Sequence, residues 1–328
     1  MNKKYAPVAV FVYNRPEHAE KALNALGKAM GASNTDVYVF SDGAKGEKDR
    51  EAVRETRNVL NKVKQNCCFH SFHVTERTQN MGLAVSVITG VSEIINRYGS
   101  IIVVEDDLIV QEGLLNFLNE ALEYYKQDRR IWSVSGYTIE LDVLKRYPKD
   151  VYFGYRGSSY AWATWKSRWR MCDWDMRSYK WFRYNPFQRA LFNRGGAGMS
   201  GMLDAQMMGI LDSWAIRWYY SKKKKNMYTV FASKSLVECI GYDGSGTHCG
   251  KVDFEMEQTL WNKREGFQFE PFALDKIILK EFYKYFSGKS FLAVNCKIRA
   301  LMLLLFHLVM YSDGRSLTIT TARNAKKR

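Results

Sequence analysis

Apolar runs and amphipathic stretches alternate through the first 135 residues. Pro7–Tyr13 (PVAVFVY) is a continuous apolar run of strand length, and Pro16 opens a helix with Ala22, Leu23, Leu26 and Met30 on one face. Asp36–Phe40 (DVYVF) reads as a second buried strand, closed by the turn signal Ser41-Asp42-Gly43. The pattern then predicts an amphipathic helix over Glu47–Val63, a short strand over Cys68–Val74 and a helix over Met81–Asn96. Ile101–Val104 (IIVV) follows as the most deeply buried strand, ahead of a helix over Glu112–Tyr125. Strands with no polar face, separated by helices, imply an α/β fold: a mostly parallel sheet flanked by helices on both faces. Such sheets bind their ligands at the carboxyl ends of the strands, around the topological switch point.

After about residue 142 the rhythm breaks into short aromatic and glycine-rich pieces, and seven of the nine tryptophans fall between Trp162 and Trp218. The expected division is 1–142 for the alternating half, 143–274 for an aromatic-rich half covering the strand ends, and 275–328 for a basic, amphipathic helical tail. No repeat or linker separates the halves, so they are expected to pack as one unit.

Composition narrows the picture. A chain of 328 residues, 46% hydrophobic and with 9 Trp, 20 Tyr and 18 Phe, can build a sizeable core, which excludes wholesale disorder. The net charge of +15 is unevenly spread. Residues 1–142 carry a net of −2, 143–234 a net of +13, 235–274 a net of −4, and 275–328 a net of +8. Two basic surfaces therefore need partners, with anionic lipid, phosphorylated substrate and nucleic acid as the candidates. The six cysteines form no CxxC pair and the polar start runs straight into a strand, so a reduced, cytoplasmic compartment is expected. The longest apolar stretch, Ala300–Tyr311, is shorter than the ~20 residues of a membrane span.

The sharpest chemical signal is Glu105-Asp106-Asp107, directly after the IIVV strand. Three carboxylates at the end of a central strand are costly unless a cation or a positively charged ligand neutralises them. A hard divalent ion held by one or two carboxylates and a substrate phosphate meets that need. The plainer alternative is a solvated acidic turn before the next helix.

Here the chain resembles a known group. The strand followed by EDD is similar to the metal-binding DXD-type motif of GT-A nucleotide-sugar glycosyltransferases. VVEDDLIV, then IWSVSGY, then a Tyr/Trp-rich segment, resembles the N-acetylglucosaminyltransferase I-like family and bacterial family 2-type sugar transferases, as does the opening PVAVFVYNRPEHAEKALNAL. The likeness covers roughly residues 5–250 and is sharpest at 5–20 and 101–137. It implies a GT-A, Rossmann-like mixed sheet and a hexosyl- or N-acetylhexosaminyltransferase activity with a UDP-sugar donor and Mn²⁺ or Mg²⁺. Carried over by residue, Tyr13, Asn14 and Arg15 would line the nucleotide pocket, and Asp42 would hydrogen-bond the base. Asn80, Met81 and Gly82 would lie near sugar and ribose, with Glu105 among the nucleotide-sugar contacts, Asp106 on the sugar–ribose side and Asp107 on the metal.

Inverting transfer to a hydroxyl also needs a general base. Asp212, beside Trp214, is the candidate, in a setting similar to the family's D-x-W; the alternative is a helix N-cap aspartate. In Ile240–His248 the glycines suit a phosphate contact, and His248 would bind metal or diphosphate, the alternative being a hairpin turn. His18, His70, His73 and His307 lack an evident partner and are expected to be structural or at the surface. Trp162, Trp165 and Trp169 fall on one helical face, which usually means core. Tyr160, Trp162 and Trp214 are nevertheless expected acceptor contacts, because aromatic faces stack on sugar rings. Lys222–Lys225 reads as a solvated turn. The tail, Lys276–Lys297 with Leu301–Leu305 beyond it, fits a helix lying on an anionic membrane, or else one packed on the domain with a basic outer face.

The expected function is thus a metal-dependent transfer of sugar to a glycan or lipid-linked, phosphate-bearing acceptor of cell-surface polysaccharide or lipopolysaccharide synthesis, peripheral to the inner face of the membrane. A sugar-1-phosphate nucleotidyltransferase is the alternative, but Tyr13-Asn14-Arg15-Pro16 lacks the glycines that class uses after its first strand. A nucleic-acid binder would account for the charge alone and finds Glu105–Asp107 unfavourable, so no nucleic-acid partner is expected.

Overall fold

Both halves of the chain build a single sheet. The computed structural model describes residues 5–66, 68–244 and 259–288. Strand β1 (Val8–Val12) leads to α1 (Pro16–Lys28), β2 (Asp36–Ser41), α2 (Arg50–Gln65), β3 (Ser71–Glu76) and α3 (Leu83–Tyr98). Then come β4 (Ser100–Glu105), β5 (Leu108–Val110), α4 (Leu114–Tyr124) and β6 (Ile131–Ser135). The second half adds β7 (Val151–Gly154), β8 (Trp162–Trp165), and the short helices α5 (Lys166–Trp169), α6 (Tyr179–Phe182) and α7 (Pro186–Phe192). It continues through α8 (Met199–Met207), α9 (Trp214–Lys224), β9 (Tyr228–Ala232), β10 (Val237–Cys239) and α10 (Lys276–Gly288).

The sheet order is β3-β2-β1-β4-β8-β6-β9-β7, and β8 and β7 alone run against the rest. This is the expected α/β, Rossmann-like mixed sheet, with β5 and β10 forming a small antiparallel pair beside it. Strand alternation sends Val8, Val10 and Val12 of β1 into one helical layer with Leu23, Leu26, Leu60 and Leu118. Ala9 and Phe11 go to the other layer, with Val87, Val91 and Ile95 of α3 and Trp214 and Trp218 of α9. Burial on both faces is why β1 reads as an unbroken apolar run. Helix α3 lies close against the sheet at Gly90, where a Cβ would stand 2.8 Å from the Phe11 ring and 3.0 Å from Phe40.

Two expectations for the second half are corrected. Trp162 and Trp165 lie on strand β8, not on a helix, so they point into opposite layers. Trp162 stacks among Trp218, Trp214 and Trp169, with ring centroids at 4.4, 5.3 and 5.9 Å. Lys222–Lys225 is no solvated turn between strands: Lys222 is fully buried in the last turn of α9 and its Nζ donates to Thr229 Oγ1 at 2.9 Å. The first part of the tail is docked on the domain, since Ile278 and Phe282 of α10 pack against Tyr152 and Phe231. Glu281 of α10 also accepts from the backbone N–H groups of Asp142 and Val143 at 2.6 and 3.1 Å. Ile278 and Phe282 of α10 are thereby spent on the protein's own core, while Ile277 and Tyr283 of the same helix stay exposed. The rest of the tail, with His307 and Leu301–Leu305, lies outside the described residues. No described helix is long and apolar enough to cross a membrane.

Candidate active site

Strand β1 lies between β2 and β4, and the carboxyl ends of these three parallel strands converge. The chain leaves β1 through Tyr13-Asn14-Arg15, β2 through Asp42, and β4 through Glu105 into the turn Asp106-Asp107. Arg15 bridges both aspartates, its Nη2 donating to Asp106 Oδ1 and, at 3.1 Å, to Asp107 Oδ2. Desolvation opposes the charged guanidinium, but the two carboxylates outweigh it and hold Arg15 protonated. Burial, partly offset by Arg15, pushes the Asp106 carboxyl up to about 6. Burial and the neighbouring Asp107 and Asp106 likewise raise Glu105 well above the usual carboxylate range.

One guanidinium therefore faces three carboxyl groups, and the cluster is short of positive charge. The Oδ1 of Asp107, like Nη1 of Arg15, is buried with no hydrogen-bond partner among the described residues. Gly241 abuts the same carboxylate so closely that a Cβ there would stand 2.3 Å from Oδ2. An unpartnered, hard anionic oxygen beside a cradle without side chains fits a divalent cation. No group of three His, Cys, Asp or Glu assembles into a ligand set among the described residues. A cation at Asp107 would complete its shell from a bound diphosphate, as hard divalent ions commonly do. His248, the other expected ligand, lies outside the described residues.

The nucleotide-side residues gather around a second carboxylate. Asp42 Oδ1 and Oδ2 accept from the backbone N–H groups of Gly43, Met81 and Gly82 at 2.9–3.1 Å. Asn80 donates to the Gly43 carbonyl at 2.8 Å. Asp42 thus fastens the end of β2 to the start of α3, and its lone pairs are turned to the backbone instead of standing free for a base. Gly82 takes φ +73°, which favours glycine where the chain turns into α3. Tyr13 donates to Asp49 at 2.9 Å and accepts from Lys45 N–H, while Asn14 donates to Asp49 at 3.2 Å. Asp49, which sequence reading passed over, therefore orders the loop after β1.

Asp212 is not the cap of α9. Ser213 is, accepting from Ile216 N–H at 3.4 Å. The Asp212 carboxylate stands exposed, without a hydrogen bond or ion pair among the described residues, and 3.9 Å from where a Cβ on Gly82 would be. The fold thus brings Asp212 beside the Asn80–Gly82 segment.

On the far side of the carboxylates Tyr160 packs edge-on against Tyr137 at 4.8 Å, and its hydroxyl lies 3.5 Å from that of Tyr242. Tyr137 and Tyr242 escaped sequence reading, although Tyr242 sits inside the glycine-rich segment it had singled out. Trp162 and Trp214 are 0% and 2% exposed, so they are core and present no face to an acceptor. The described histidines do have partners: His18 meets Asp243 at 3.3 Å, His70 meets Asp36 at 2.7 Å, and His73 stacks on Tyr38. His18 and Asp243 tie α1 to the loop after β10, next to the carboxylate cluster.

No protein-family profile matches the chain, and no curated protein matches it in sequence. Among solved structures it is similar to the galactosyltransferase LgtC in complex with donor and acceptor sugar analogues. That likeness has 11% identity, covers 66% of this chain and 69% of that one, and has a TM-score of 0.33. It is also similar to TarS of S. aureus, at 11% identity over 73% of this chain and 37% of that one, TM-score 0.40. A putative glucose-1-phosphate thymidylyltransferase from Bacillus anthracis follows at 12% identity, 44% and 59% coverage and TM-score 0.29. At such values the functional reading rests on the site's own residues.

Proposed function

We propose that the protein is a metal-dependent glycosyltransferase that moves a sugar from a nucleoside-diphosphate donor to a hydroxyl of a glycan or lipid-linked acceptor. The observation that carries this reading is the cluster of Glu105, Asp106 and Asp107 on Arg15 at the switch point, with one buried carboxylate oxygen unpartnered. The nucleoside, of a UDP-sugar on this reading, lies along Tyr13–Arg15 and the turn that Asp42 braces, with the sugar toward Asn80–Gly82 and Asp106. Asp107 would hold a Mn²⁺ or Mg²⁺ ion, which would supply positive charge to a departing diphosphate.

Asp212 takes the proton of the acceptor hydroxyl as its oxygen forms the new bond to the sugar's anomeric carbon. The bond from that carbon to the diphosphate breaks, and the nucleoside diphosphate leaves with the electron pair, which inverts the configuration. An exposed, unpaired carboxylate beside Gly82 suits a group that must meet an incoming acceptor. Nucleotidyl transfer is less well supported, since the chain runs from β1 through Tyr13-Asn14-Arg15 straight into α1 with no glycine loop. The test is a screen of nucleotide sugars for Mn²⁺-dependent thermal stabilisation and hydrolysis. Asp107→Ala should abolish the metal response. Asp212→Asn should lower turnover about a hundredfold or more while sparing donor binding. Donor binding with an unchanged metal response in Asp107→Ala would sink the metal assignment, and full activity in Asp212→Asn the base.

A lipid-linked acceptor would be met at an anionic membrane surface, to which the protein binds peripherally. In the described residues the support comes from α6 to α8 and not from α10. Trp181 and Phe187 are 74% and 67% exposed, with Tyr184, Met207, Met208 and Ile210 also exposed nearby in the chain, interspersed with Arg177, Lys180 and Arg183. Interfacial aromatics among cations suit a headgroup layer. Trp181→Ser with Phe187→Ser should lower sedimentation of the full chain with phosphatidylglycerol vesicles by roughly fivefold. Equal sedimentation of variant and wild type would exclude this face.

A further inference from the structure

Arg156, in the loop between β7 and β8, is a guanidinium with no oxygen acceptor among the described residues. Its Nη2 has Met202 Sδ at 4.0 Å, and the Phe286 ring of α10 lies 4.2 Å below it. A Cβ on Gly196 would come within 3.3 Å of Nη1, so that glycine lets the backbone pass close by. Among the described residues no carboxylate is within ion-pair distance, whereas Arg15 grips Asp106 and Asp107 and Arg189 grips Asp204. Burial lowers the pKa of Arg156, only partly countered by the neighbouring phenols of Tyr219 and Tyr160.

The guanidinium borders a cavity of about 190 Å³ walled by Tyr137, Tyr160, Tyr219, Tyr242 and Tyr285. That volume is below the ~300–1,000 Å³ of sites for drug-sized ligands and suits one sugar ring. Phenol faces pack on sugar rings and phenol hydroxyls exchange hydrogen bonds with sugar hydroxyls. Arg156 is half-buried with no acid beside it among the described residues, and its planar fork matches the oxygens of a phosphate or carboxylate. The cavity also adjoins the reaction centre: Tyr242 follows Gly241, which abuts the Asp107 carboxylate, and Ile240 N–H donates to the Asp107 carbonyl at 2.9 Å. The wall formed by Phe286 and Tyr285 belongs to α10, so the docked start of the tail completes this pocket.

We propose that this cavity is an acceptor subsite for an anionic sugar, in which Arg156 takes the phosphate or carboxylate oxygens and the tyrosines the ring and its hydroxyls. Its role for an acceptor rests on the transferase reading; its selectivity for an oxyanion does not.

The experiment is calorimetric titration of the full chain with glucose 6-phosphate, glucuronate and glucose, in wild type, Arg156→Met and Arg156→Lys. Wild type should bind at least one anionic sugar roughly tenfold or more tighter than glucose. Arg156→Met should erase that preference and Arg156→Lys keep part of it; which anionic sugar wins identifies the oxyanion. No binding of either anionic sugar, equal binding of all three sugars by wild type, or an undiminished preference in Arg156→Met would each overturn the subsite. Should Arg156→Met fail to fold, phenylglyoxal labelling of wild type decides. Protection of Arg156 by the preferred anionic sugar and not by glucose upholds the proposal, and absence of protection overturns it. UDP with Mn²⁺ is titrated in parallel. Its failure to bind beside an intact anion preference would remove the transferase reading and leave an oxyanion–sugar site, and the converse result would remove the subsite alone.

Discussion

Arg15 and Arg156 are both drawn partly out of water, and their surroundings are opposites. Arg15 lies among three carboxyl groups, two of which it bridges, and the cluster is still short of positive charge. Arg156, half-buried, has tyrosines, a phenylalanine and a methionine around it, and its charge helps to lower the pKa of the buried Lys222. The donor side therefore lacks cations and the acceptor side lacks anions. Such imbalances raise the energy of the empty protein, and ligands of the missing sign relieve them. Read this way, the net charge of the second half is less a general attraction for polyanions than a set of placed cations, some of them buried.

Removing the two arginines should have opposite effects on the ligand-free protein. Arg15→Met leaves buried carboxylates without a counter-charge and should cost about 3–5 kcal/mol, read from chemical denaturation. Arg156→Met removes an unpaired cation and should leave stability unchanged or raise it by on the order of 1 kcal/mol. Similar losses in both variants would mean that Arg156 has a hidden acidic partner, which would end the comparison.

The two sides also differed in how far they could be read from sequence. On the donor side each signal is local: PVAVFVY and IIVV are apolar because both sheet faces are covered, and EDD follows the second of them directly. Arg15, Asp42 and the Asn80–Gly82 turn follow the carboxyl ends of β1, β2 and β3, which parallel topology places side by side. The acceptor side depends on insertions that sequence spacing hides. An antiparallel strand slipped between β4 and β6 carries Trp162 and Trp165 three residues apart, which mimics a helix face. Ser213, not Asp212, caps α9, a choice set by one residue of register. His18 finds Asp243 from the far end of the described fold, and nothing in Tyr155-Arg-Gly-Ser-Ser-Tyr160 announces that Arg156 lacks an acid. Absence of a partner is a tertiary fact.

The smallest expected effect sharpens the contrast through pH. Lys222 is fully buried, donates among the described residues only to Thr229 Oγ1, and has its pKa driven well below the usual lysine value by desolvation and then by Arg156. The unfolded chain holds a proton on this amine up to an ordinary pKa of about 10.4, whereas the folded chain gives it up earlier. Between the two values the unfolded state binds more protons, so wild-type stability rises with pH through that window. The penalty is absent above about pH 10.4 and grows as pH falls toward the folded value. Lys222→Met keeps the volume, and Thr229 Oγ1 retains Ser133 Oγ at 3.1 Å, so little is lost with the amine. The variant should therefore be more stable at pH 7 by on the order of 1 kcal/mol, with the gain shrinking toward pH 10. Thermal unfolding of both proteins across pH 6–10 checks this; parallel curves would show that Lys222 stays charged in the fold, paired with an anion that would then be available to Arg156 as well.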